Sequence, residues 1–322
     1  MPETWIVTDG AVGMEAQGIA VAEAVGLPYT LKRVKPIGPM ALIPTRFQHL
    51  VPAKGRITAS ESNSPLAPPW PRLVISIGRR SVPLALAIKE LGGAYGVHIQ
   101  NPKVPAHLFD LVAAPLHDDF EGPNVITTFG AVHRVTADKL ADAGARYAPR
   151  IAELPHPRIT VLLGGESRAF TFPPEAGMRF GEALAAAAAR ETGGSLLITP
   201  SRRTRPETLK ALAEAVTDVP NVVWDGTGEN PYLAFLSLAD AIVVTEDSVN
   251  MVTEATGTGK PVYTQPLSGR STRLARFHAL MRERGATRPF EGHVDPFDYA
   301  PVNDTEAVAA PIRAALGLES TG

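Results

Sequence analysis

Residues 239–262, ADAIVVTEDSVNMVTEATGTGKPV, constrain the chain most tightly. The apolar run 241–244 is short and β-branched, which predicts a buried parallel strand. The polar triplet Thr245-Glu246-Asp247 follows, and the Ser248 hydroxyl is placed to accept an orphan amide of a helix that runs to about Thr256. Asn250 adds a polar group to that helix's first turn. Gly257 and Gly259 stop the helix, and Pro261 opens the next apolar strand, 261–264. A polar loop between a strand's carboxyl end and a helix N-terminus is where open α/β sheets hold ligands, anions above all.

The flanking sequence repeats this alternation. Residues 5–8, 29–34, 73–77, 95–99, 109–112 and 125–129 predict strands, with Gly- or Pro-containing loops and helical spacing between them. A Pro-rich segment at 148–158 reads as the domain boundary. Strands at 159–163, 195–199 and 221–225 follow, with helices at 175–191, 271–284 and 305–316. At 322 residues the chain is long for one core and suits two domains of about 150 residues each. The expected division is 1–150 and 151–304, with helix 305–316 packing back on the first domain. The apolar, Pro-interrupted stretch 36–52 is expected to form a covering helix.

Several strand ends carry polar groups. Gly10 and Gly13 sit in the first turn and Gln17 on the helix after it. His98 and Gln100 close one strand, His117 another, and His133 follows a third. Three histidines at neighbouring strand ends are expected to face one cleft. In the second half, Gly164-Gly165-Glu166-Ser167 is expected to bring amides close to an anion, since glycine has no Cβ to obstruct it. Ser201, Arg202 and Arg203 end the next strand and suit a phosphate or a carbonyl.

Composition excludes several classes. A net charge of -2 gives no general drive toward nucleic acid or anionic membrane. Cysteine is absent, so disulfides and thiolate metal sites are ruled out. No signal-type run and no apolar segment of roughly 20 residues occurs, so the expectation is a cytoplasmic protein whose membrane contact, if any, is peripheral. No Asp-x-Asp, dinucleotide-binding Gly-x-Gly-x-x-Gly or His-Glu-x-x-His is present.

Ser248, Glu254, Gly259 and Pro261 resemble the nucleotide-sugar segment of GT-B glycosyltransferases, including the type that makes lipid II. The wider pattern is similar to the mitochondrial-fission (elongated-mitochondria) family and its bacterial relatives. It comprises Asp9-Gly10-x-x-Gly13-x-x-x-Gln17, His98-x-Gln100-x-Pro102, Thr128-x-Gly130-Ala131-x-His133 and Ser201-Arg202-Arg203-Thr204. The resemblance implies an α/β fold of two Rossmann-like domains facing across a cleft. It also implies a metal-independent transferase, with no cofactor beyond a UDP-linked sugar as co-substrate. In that reading Glu254 holds the ribose and Gly164, Gly165, Ser167, Ser201, Arg202, Arg203, Ser248 and Asn250 complete the donor site. Gly10, Gly13, Gln17, Gln100 and His133 meet an acceptor, lipid-linked or from the cell envelope, and His98 is the candidate catalytic base. A nucleotide-sugar epimerase and a non-catalytic adaptor in membrane fission are the alternatives.

Overall fold

A computed structural model describes residues 3–190 and 193–318 of the chain. It divides into two compact units. One runs to Arg134 and takes up the chain again from Asn303; the other is Val135–Val302.

The first unit contains β1 (Thr4–Thr8), α1 (Val12–Val25), β2 (Tyr29–Pro36), α2 (Thr45–Gln48), α3 (Ala53–Thr58) and β3 (Ser60–Ser62). Then come β4 (Leu73–Ile77), α4 (Val82–Gly92), β5 (Tyr95–Ile99), β6 (Leu111–Pro115) and β7 (Val125–Thr128). The strand order is β3-β2-β1-β4-β5-β6-β7, parallel except for the β2–β3 edge pair. Successive strand side chains point to opposite faces. Ile6, Ile75 and Val97 therefore pack on one side with α1, and Trp5, Val7, Val74 and Val112 on the other with α4. Both faces are covered, which is why β1 and β4 are apolar or small throughout. The final helix, Thr305–Ala315, joins the first core through Val308, Ala309 and Ile312.

The second unit holds α5 (Ala137–Tyr147), β8 (Arg158–Leu163), β9 (Phe170–Thr171), α6 (Pro174–Ala189), β10 (Ser195–Pro200), α7 (Pro206–Ala215), β11 (Asn221–Val223) and α8 (Tyr232–Leu238). It continues through β12 (Ala241–Thr245), α9 (Val249–Thr256), β13 (Val262–Gln265), β14 (Ser268–Gly269), α10 (Thr272–Glu283) and β15 (Arg288–Pro289). The order is β11-β10-β8-β12-β13-β15, with every neighbouring pair parallel. A short antiparallel β9–β14 pair lies apart from it. The chain winds outward from β8 through β10 to β11, then returns and winds the other way from β12. The topological switch is thus between β8 and β12.

Three features differ from the sequence expectation. The expected boundary at 148–158 falls inside the second unit, because Ile151 is buried with Leu197 and Phe235, and Leu154 packs against them. Its prolines shape a packed connection in place of a linker. The expected single helix over 36–52 is broken into a 3-10 turn at Gly38–Leu42 and the short helix α2; α3, just beyond, packs on α4, where the buried Arg56 donates to the Pro83 carbonyl at 3.0 Å. The strand expected at 109–112 runs Leu111–Pro115. The expected end of one helix at Glu191 lies outside the described residues. Among the described residues no helix is long and apolar enough to cross a membrane.

The final helix supplies core atoms to the first unit, so Ile312→Ala should cost about 2–4 kcal/mol of stability. Urea unfolding followed by circular dichroism measures this; a loss below about 0.5 kcal/mol would mean that the helix is peripheral.

Candidate functional site

The carboxyl ends of β8, β10 and β12 converge at the second unit's switch point, and their loops are bound to one another. The Gly164 amide donates to Thr245 Oγ1 at 2.7 Å, and that hydroxyl donates to Asp247 Oδ1 at 2.6 Å. Asp247 Oδ2 accepts from the Gly165 amide at 3.1 Å and pairs with the Arg203 guanidinium at 2.6 Å. The Glu166 amide donates to the Arg203 carbonyl at 3.1 Å, and the Ser167 amide to the Phe170 carbonyl at 3.0 Å. Thr204 Oγ1 donates to the Leu163 carbonyl at 3.1 Å and accepts from the Ser201 amide at 3.0 Å. Glu166 also pairs with Arg205 at 2.6 Å.

The glycines are explained by this closeness. A Cβ on Gly164 would lie 1.9 Å from Asp247 Oδ1, and one on Gly165 would lie 2.0 Å from the Arg203 carbonyl oxygen. Sequence reasoning expected both amides to approach a diphosphate, yet both are occupied within the chain. Ser167 is exposed, and its hydroxyl accepts from the Ala169 and Phe170 amides, each at 3.1 Å. Arg202 is exposed, while Arg203 is turned inward by Asp247.

Helix α9 begins directly after Asp247. Ser248 Oγ caps it by accepting from the Met251 amide at 3.4 Å. Asn250 lies half-buried in its first turn, and Glu254 lies farther along it. Glu254 Oε2 accepts from the Tyr232 hydroxyl at 2.5 Å. Burial, reinforced by Glu254, raises the Tyr232 pKa well above its ordinary value, so the phenol stays a donor. Tyr232 also lines a cavity of about 420 Å³ with Arg146, Tyr147, Arg150, Glu229 and Asn230. Tyr232 and Asp247 were missed from sequence; Asp247 carried a signal, standing between a strand end and a helix cap.

In the first unit, Gly10 lies in the loop after β1, at the switch between β1 and β4. Gly13 is exposed, and the buried Gln17 donates from Nε2 to the Gly13 carbonyl at 3.4 Å, supporting the turn from beneath. Asp9 and Arg80 stand 3.9 Å apart and line a cavity of about 520 Å³ with Lys35, Thr45 and Gln48. Gln100 has φ of +80° and its amide donates to the Ala113 carbonyl at 2.7 Å.

The histidines do not face a cleft. His98, His117 and His133 are all buried. His98 is 0% exposed, with Nδ1 2.8 Å from Ser76 Oγ and its ring against Phe109. Desolvation lowers its pKa to about 3, so the ring is neutral and sealed inside the sheet. A base role for His98 finds no solvent-accessible group here. His133 is fixed through its backbone, whose amide and carbonyl both bond Thr305 Oγ1 at 3.0 Å.

The model of the family described as mitochondrial fission ELM1 matches residues 12–316. The chain belongs to this family. The mitochondrial fission protein ELM1 of Arabidopsis thaliana is 32% identical over 281 residues, which are 76% of this chain and 64% of the plant protein. The chain thus spans less than two thirds of that relative's length. An uncharacterised protein of Rickettsia prowazekii, RP120, is 24% identical across 98% of this chain and 99% of its own.

Solved structures share the fold. The UDP-GlcNAc 2-epimerase of Methanocaldococcus jannaschii superposes with a TM-score of 0.55 at 12% identity, over 98% of this chain and 100% of that one. The Neisseria meningitidis UDP-GlcNAc 2-epimerase bound to UDP-GlcNAc gives 0.53 at 12% identity over 98% and 100%. Os79 from O. sativa in complex with UDP gives 0.52 at 12% identity over 98% and 92%. The ELM1-family chain therefore has a GT-B type α/β fold of Rossmann-like units.

The buried His98 gives a pH signature. Its pKa is about 3 when folded, against an ordinary 6.5, so the unfolded chain binds the extra proton between those values. The stability it contributes is present above 6.5 and is lost as pH falls toward 3, at up to roughly 1.4 kcal/mol per pH unit. Denaturant unfolding at pH 7 and pH 5 should show a smaller pH loss for His98→Asn than for the wild type. Equal losses would place the imidazole in contact with water.

Proposed function

We propose that the second unit binds the nucleotide part of a nucleotide sugar, with UDP as the nucleotide, at the carboxyl ends of its parallel strands. The observation that carries this reading is Glu254. It is a half-buried carboxylate on the helix that follows the switch-point strand, and it accepts from the hydroxyl of Tyr232, a residue that lines a cavity of about 420 Å³. A carboxylate accepts from two vicinal hydroxyls at once, which suits a ribose. Ser248, at the head of the same helix, is six residues before Glu254, which places the two roughly 9 Å apart along the axis. That spacing suits phosphate at one end and sugar at the other. The solved relatives in fold that hold UDP or UDP-GlcNAc support the ligand class.

The reaction proposed with this binding is metal-independent glycosyl transfer. Arg202, exposed next to the switch point, and the N-terminus of α9 would stabilise charge on a leaving diphosphate. A non-catalytic role in membrane fission is the second reading. The family description favours it, as does the burial of His98, the histidine expected to act as base. Turnover of UDP-GlcNAc with no acceptor present would instead point to epimerisation.

Glu254→Ala should weaken UDP binding about ten- to a hundredfold and lower stability by about 1–3 kcal/mol, because it strands the Tyr232 hydroxyl. Titration calorimetry decides; equal UDP affinity in the two proteins would remove Glu254 from the site.

A further inference from the structure

The switch-point loop already contains an anion, and it is the chain's own. Four successive amides, from Gly164 to Ser167, all donate within the protein. The Asp247 side chain is 0% exposed and gathers the Gly165 amide, the Thr245 hydroxyl and the Arg203 guanidinium. These are donors of the kind a glycine loop and a strand-end arginine offer to a phosphate. Gly164 leaves room for this carboxylate, since any Cβ there would collide with both of its oxygens, at 1.9 and 2.3 Å.

We propose that Asp247 is an internal anion that competes with a ligand's phosphates for Gly165 and Arg203, and so sets how strongly this unit distinguishes a nucleoside diphosphate from the bare nucleoside. Like charges brought together in a site shielded from water repel strongly. A diphosphate approaching Arg203 therefore meets both a satisfied guanidinium and a buried negative charge. Ligand selection then falls on the nucleoside portion, while the exposed Arg202 remains to meet phosphate at the rim and Arg205 is held by Glu166. The proposal deepens the nucleotide reading and rests on it for the identity of the natural ligand. Inorganic pyrophosphate tests the anion competition without that reading.

Asp247→Asn keeps the side chain's shape and an acceptor for the Gly165 amide, but removes the charge. Calorimetry with inorganic pyrophosphate should show affinity at least tenfold higher for Asp247→Asn than for the wild type, which itself should bind it no better than millimolar. Uridine affinity should be the same in both proteins. An unchanged or weaker pyrophosphate affinity in the variant overturns the proposal, because Asp247 would then only position Arg203 for the phosphate. Should Asp247→Asn fail to fold, Asp247→Ser and the wild type decide. Micromolar pyrophosphate binding by the wild type, or UDP binding more than a hundredfold tighter than uridine, contradicts an internal competitor. Failure of uridine and UDP to bind any of these proteins, with the pyrophosphate gain intact, rejects the nucleotide reading and leaves the internal anion standing.

Discussion

The Asp247 carboxylate joins the ends of three strands that are far apart in sequence. Through Thr245 it reaches the Gly164 amide, and directly it holds Gly165 and Arg203. A buried carboxylate is costly unless it is fully hydrogen-bonded and paired, and here three donors meet it. The loops after β8, β10 and β12 are consequently fixed relative to one another. Everything placed next to them inherits that order, including the Ser248 cap and helix α9 with Glu254. Removing Arg203 would strand the Asp247 charge, whereas Asp247→Asn keeps an acceptor for the Gly165 amide and so keeps the loops in place.

Much of the fold was legible because a parallel sheet covered on both faces leaves short β-branched runs, as in Ile242-Val243-Val244 and Leu73-Val74-Ile75. Ser248 was legible as a cap since only a side-chain oxygen at that point satisfies the first turn. The partners of the glycines were not. Gly164-Gly165 announces a close approach, but sequence cannot say whether the approaching group is a ligand or the chain's own Asp247, 82 residues on from Gly165. The histidines failed for a related reason. His98 lies within β5 opposite Ser76, one residue before the strand end, and its ring points to a covered face of the sheet against Phe109. The prolines of 148–158 read as a linker because composition does not reveal that Ile151 is buried.

The family and the fold are secure on separate grounds: family membership on the match over residues 12–316, fold on the sheet order and the superposed structures. Neither fixes a reaction, because one fold hosts many chemistries and the site alone decides. The polar groups of the second unit suit recognition of a nucleotide. The first unit offers at its own switch point the Asp9–Arg80 pair beside a cavity of about 520 Å³, and no accessible histidine among the described residues 98, 117 and 133. That combination fits ligand binding more readily than general-base catalysis by those side chains.

The proposed nucleotide site lies at the carboxyl ends of the second unit's strands. Amide hydrogen exchange with and without UDP tests it directly, residue by residue. Nucleotide bound there slows exchange in residues 201–205, 229–234 and 246–254, centred on Glu254 and Tyr232. Unchanged exchange in all three segments at saturating UDP, or protection confined to the loops after β1 and β4, would contradict it.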